Sequence, residues 1–146
     1  MPTDLHPDYP VVTGDYLLTA GWRLVLPEKF NRRIEDGSLV LWMPELTFWI
    51  NAWNNDQQIS VDEQLALILT SVSPERRDER IEKSATATRL SYELAEEDPD
   101  ASSAECHSVC AYVISARGYL QISAYFDSPP ARALAYKIIA SIRAEA

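Results

Sequence analysis

At 146 residues and 16.5 kDa the chain has the size of one domain, long enough to bury roughly 70% of its unfolded surface and to fold without disulfide staples. Thirteen Lys and Arg against twenty-two Asp and Glu leave a formal charge of -9 and a pI near 4.6, a balance that disfavours nucleic-acid backbones and anionic membranes. Hydrophobic residues at 47% and charged residues at 24% are the proportions of a soluble globule, and two cysteines exclude a disulfide framework.

The N-terminal stretch from Met1 to Trp22 has no basic segment followed by an apolar one, so no signal peptide is expected and the cytoplasm is the default location. Nearly apolar runs such as Leu39 to Pro44 and Leu65 to Leu69 fall far short of the ~18 residues of a membrane span. Pro2, Pro7 and Pro10 predict an extended N-terminal arm over residues 1–20, anchored by Val11, Val12, Tyr16, Leu17 and Leu18. Residues 21–146 then form a single α+β domain.

Trp22 to Leu26 reads as a short strand closed by Pro27. A polar stretch and the Asp36-Gly37 turn follow. Ser38 to Met43 and Leu46 to Trp53 are aromatic and branched, bounded by Pro44-Glu45 and by Asn54-Asn55-Asp56, which is the signature of two more strands. The period then changes. Ser60-Val-Asp-Glu63 fits a capping box, and Val61, Leu65, Ile68, Leu69 and Val72 mark one helix face that Ser73-Pro74 ends. Glu75 to Lys83 is nearly all charge and predicts a solvated loop or a short helix. Thr86 to Leu94 alternates as a strand, and Glu96 to Glu105 is an acidic loop. His107 to Ala116 and Tyr119 to Phe126 form a hairpin about Arg117-Gly118. Ser128-Pro129-Pro130 starts a closing helix with Ala131, Leu134, Ala135, Ile138 and Ile142 on its buried stripe. The expected fold is α+β: an antiparallel-rich sheet of about six strands with two main helices, in the order β-β-β-α-β-β-β-α.

The Trp/Leu strand from Trp22 to Pro27, two adjacent strands, a mid-chain helix opening Ser60-Val-Asp-Glu-Gln-Leu65 and a closing helix together resemble the PsbP-like α-β-α sandwich. That fold is shared by photosystem PsbP proteins and bacterial DcrB-type proteins, and the likeness covers about residues 20–144. The resemblance implies a binding, adaptor or chaperone-like role. It brings no catalytic motif and no functional residue with it.

Residue chemistry offers little for catalysis. Cys106 and Cys110 on one strand would stand roughly 13 Å apart, too far for a shared metal or a disulfide. His107 would point away from Cys106, so the two cannot act as nucleophile and base. Both thiols are expected to be structural, and Glu96, Glu97, Asp98 and Asp100 a solvated acidic patch. The glycines are isolated, so no phosphate loop exists. No cofactor and no metal are expected.

Strand parity is more informative. One expected face is apolar: Leu39, Leu41, Met43, Leu46, Phe48, Ile50, Leu90, Tyr92, Leu94, Leu120, Ile122 and Phe126. The other mixes rings with polar groups: Trp42, Thr47, Trp49, Asn51, Trp53, Arg89, Ser91, Glu93, Tyr119, Gln121, Ser123 and Tyr125. The second set is either a further core, covered by the arm or a helix, or an open face with the composition of an interface. The candidate binding residues are Trp42, Trp49, Asn51, Trp53, Arg89, Tyr119 and Tyr125. The expected function is a non-enzymatic protein-binding domain of adaptor, chaperone-like or immunity/inhibitor type, with a basic protein as partner. The alternative is a small-ligand or enzyme pocket around Arg89, Glu93, Tyr119 and Tyr125. Self-association through an exposed strand edge is a third reading.

Overall fold

A computed structural model describes residues 5–19, 21–96 and 106–144. The fold is α+β, as expected, but the antiparallel sheet has nine strands rather than about six. In chain order they are β1 (Val11–Thr19), β2 (Trp22–Glu35), β3 (Ser38–Met43), β4 (Leu46–Asn54), β5 (Arg77–Lys83), β6 (Thr88–Glu96), β7 (Cys106–Ser115), β8 (Gly118–Phe126) and β9 (Arg143–Ala144). Two helices interrupt them, α1 (Val61–Leu69) and α2 (Pro129–Ala140). The strands lie in the order β1-β2-β3-β4-β8-β7-β6-β5, with β9 paired to β2. Two meanders therefore meet where β4 runs antiparallel to β8.

Three extra strands arise where no strand was expected. Residues 11–19 of the expected arm are the edge strand β1. The charged segment from Arg77 to Lys83 is the opposite edge, β5, rather than a loop or helix. All seven of its residues are exposed, so it buries nothing that could betray it in the sequence. The third is the two-residue β9. Pro27 does not close β2 either. Val12 pairs with Phe30 and Gly14 with Leu26, so β2 spends two additional residues in a bulge opposite β1. Pro27 sits in that bulge, where its missing N–H breaks no ladder bond. An insertion of two keeps side-chain parity, so Trp22, Leu24, Leu26 and Phe30 all join one core.

The turns and caps follow the local chemistry. Asp36 (φ 50°) and Gly37 (φ 86°) form the β2–β3 hairpin turn. Ser60 Oγ accepts from the Glu63 amide at 3.0 Å, and Ser128 Oγ accepts from the Ala131 amide at 3.3 Å. The β7–β8 loop is Ala116-Arg117, with Gly118 opening β8.

The helices cover opposite faces of the sheet. On one, Ala131, Ala135, Ile138 and Ile139 of α2 pack on Leu24, Phe48, Val109, Ala111, Leu120 and Ile122. On the other, Leu65 and Ile68 of α1 pack on Leu90, Tyr92, Tyr112 and Ile114. This overturns part of the expected parity. Leu90, Tyr92 and Leu94 lie beneath α1 and not with the α2 core, because β6 and β7 are buried on both sides and apolar character alone does not tell the faces apart. Among the described residues, no helix is long and apolar enough to cross a membrane.

Candidate functional site

The site is built from the α1 side of β2, β3, β4 and β8. Register places Arg33, Val40, Trp49 and Ser123 in one row across these strands. Trp42, Thr47 and Tyr125 form the next row, and Ser38, Asn51 and Gln121 the one before. Trp53 and Tyr119 close the set, paired at the end of β4. Helix α1 seals the β6–β7 end of this face and leaves the rest to the rings. Trp53 is 49% exposed and Tyr125 36%, and Trp42, Trp49, Asn51 and Tyr119 are half-buried. Of the seven expected binding residues, six share this face.

Arg33 lies at the centre. Its guanidinium carbon stands 4.5 Å from the Trp42 ring centroid and 5.8 Å from that of Trp49, within cation–π range of both. Val40 beneath is wholly buried. Tyr9 meets Trp42 edge-on at 5.0 Å, and His6 meets Tyr9 in the same way. At the other end Trp53 stacks on Tyr119 at 6.3 Å, and Tyr119 packs on Tyr112 at 6.1 Å. Polar groups fill the gaps: Ser38 Oγ donates to Asn51 Oδ1 at 2.9 Å, and Gln121 Nε2 donates to the Tyr112 hydroxyl at 3.3 Å.

Two amides fix the margins. Asn31 is fully buried. Its Nδ2 donates to the carbonyls of His6 at 3.0 Å and Tyr9 at 3.2 Å, and its Oδ1 accepts from the His6 amide at 2.6 Å. That holds residues 6–10 against the face and Tyr9 against Trp42. At the opposite end Asn55 Nδ2 donates to the carbonyls of Ile59 and Ala116, and its backbone N–H donates to the Arg117 carbonyl at 2.8 Å. The end of β4, the approach to α1 and the β7–β8 turn are thereby joined.

Arg89, the seventh candidate, is a correction. It pairs with Val113 and Glu93 with Val109, which puts both on the α2 face. There they clasp α2. Arg89 donates to the Ala140 carbonyl at 3.2 Å, and Glu93 accepts from Arg132 Nε at 3.1 Å and from the Tyr136 hydroxyl at 2.7 Å. Tyr119 and Tyr125 lie on the far side of the sheet, so the pocket expected around Arg89, Glu93, Tyr119 and Tyr125 is not assembled. Sequence reasoning also missed Arg33, Asn31 and Tyr9. Reading β2 as ending at Pro27 hid the parity of Arg33, although the bulge preserves it.

Electrostatics on the α1 side suits contact better than proton transfer. Burial pushes the Tyr92 phenol well above its ordinary value, with Cys110 adding to the rise, and burial also raises the Tyr112 phenol. Such phenols stay neutral and make poor bases. No group of three or more potential metal ligands occurs among the described residues. Cys110 is half-buried on β7, facing the α1 side in register with Tyr92 and Ser123, as a strand assignment for this segment requires. Two cavities of about 410 and 400 Å³ lie elsewhere, one beside the β2 bulge and the other between the start of α1 and the β5–β6 turn.

No protein-family model matches the chain, and no curated protein matches it. Among solved structures, a crystal structure from Bacteroides thetaiotaomicron VPI-5482 is similar, with a TM-score of 0.60 at 15% identity over 92% of this chain. The chain spans 50% of that protein's length, and the likeness is one of fold alone.

Proposed function

We propose that this chain is a non-enzymatic binding domain that engages another protein across the open part of the α1-side face. The observation that carries the reading is the row of rings beyond α1, with Trp53 about half exposed and Arg33 held between Trp42 and Trp49. Trp, Tyr and Arg dominate interface energetics because they bury large area with few rotatable bonds and still offer a polar tip. The net charge of -9 favours a partner with a basic rim, whose approach it would steer. An adaptor, chaperone-like or immunity/inhibitor role in the cytoplasm and a PsbP-like fold belong to the same proposal and rest on the sequence.

The test is affinity capture from the native host at low salt with wild-type protein, Trp53→Ala and Arg33→Ala. Wild type should retain one dominant basic protein, and both variants should lose it while their Tm stays within a few degrees of wild type. Equal capture by all three, or a Trp53→Ala protein that unfolds, removes the face as a binding surface and makes it a second core.

A further inference from the structure

The two margins of the sheet are built differently. The β5 margin is guarded: Arg77, Asp78, Glu79, Arg80, Glu82 and Lys83 charge six of its seven positions. Charge on an edge strand is a device by which proteins block edge-to-edge pairing, whereas register breaks occur on both margins, between Arg77 and Arg80 in β5 and at Val12/Gly14 and Leu17/Thr19 in β1. The β1 margin has none of that charge. Its nine residues, VVTGDYLLT, carry one charge, and Val11 and Leu17 are 50% and 45% exposed.

Hydrogen bonding shows which groups of β1 face outward. The Arg32 amide donates to the Pro10 carbonyl, so even-numbered residues bond to β2 there. The Val25 amide is taken by Ser141 Oγ on the far side, so its register partner Asp15 turns its own backbone groups away from β2. Both observations turn the amides and carbonyls of Val11, Thr13, Asp15 and Leu17 away from β2 and out along the margin, where no described strand pairs with them.

We propose that β1 is the edge through which two copies of this chain join, antiparallel, with Gly14 on the two-fold axis. This register sets Val11 against Leu17 of the second copy and Thr13 against its Asp15, and all four are outward-bonding positions. On the α2 face it brings half-buried Val12 against Tyr16, extending the core across the axis. Sliding by two residues in one direction opposes Asp15 to its own copy, and in the other opposes Val11 to Asp15, so one register stands above its neighbours. Gly14 (φ 77°) has no atom within 4 Å of where a Cβ would stand. That φ, beside the register shift at Val12/Gly14, is one that a side chain would strain, so glycine serves the backbone there. The pairing is independent of the aromatic face.

Sedimentation equilibrium of the intact chain tests it, alongside Leu17→Lys and a Val11→Cys/Leu17→Cys double variant under mild oxidation, with wild type oxidised in parallel. Wild type should be a dimer. Leu17→Lys should sediment as a monomer with unchanged circular dichroism, and the double variant should give a covalent dimer that neither wild type nor Asp15→Cys yields. A wild-type monomer at millimolar concentration overturns the proposal. So does a dimer that survives Leu17→Lys, one that Trp53→Ala dissolves, or equal crosslinking through Asp15→Cys. Should Leu17→Lys fail to fold, the cysteine pair decides alone.

Discussion

Gly118 shows how a residue with no side chain can set the position of a site. A Cβ built there would meet the Trp53 carbonyl oxygen at 2.0 Å and the Asn54 Cα at 3.0 Å, both of them backbone. Backbone on both sides gives little room to relax, so Gly118→Ala is expected to cost about 2–4 kcal/mol. Urea unfolding checks this, and an unchanged midpoint would show that the end of β4 is free to move. The glycine was legible in the sequence as a turn residue, but the turn lies one position earlier and the reason for glycine is close packing. Asn31 was not legible as anything but a polar residue. Its role depends on the burial of its amide and on three chain segments meeting there, and neither leaves a local pattern.

At the scale of elements, β3, β4 and β8 were readable because each is greasy on one side and mixed on the other, so parity fixed their faces. Strand β6 failed the same test, since α1 lies over Leu90 and Tyr92 on one side and α2 reaches Glu93 on the other. Nothing in a linear pattern says on which side of a sheet a crossover helix will settle. The clasp on α2 gives the element-scale prediction. Hydrogen bonding to Glu93 raises the Arg132 guanidinium above its ordinary value, while burial and then Glu93 raise the Tyr136 phenol. The Glu93 side chain is 13% exposed but that of Arg132 44%, so solvent weakens the pair. Glu93→Gln should therefore cost about 1–2 kcal/mol. Adding Arg132→Gln should cost little more, and the double-mutant cycle in urea measures that coupling.

For the whole molecule, three of the seven tyrosines, Tyr92, Tyr112 and Tyr136, have phenols raised above 10.0 in the folded state. Above pH 10 the unfolded chain gives up these protons while the folded protein keeps them. The unfolded state then binds fewer protons, so stability is full below that pH and falls as pH rises beyond it. Spectrophotometric titration should show these three phenols ionising only as the protein unfolds, and a smooth titration of all seven in the folded protein would refute it. One last consequence follows from Asn55, whose amide knots the far tip of β4 to the lead-in of α1 and to the β7–β8 bend. The indole of Trp53 stands just before that knot. A molecule docked on that ring would therefore rest on chain tied directly to the approach of α1, the helix that covers the other end of the same face.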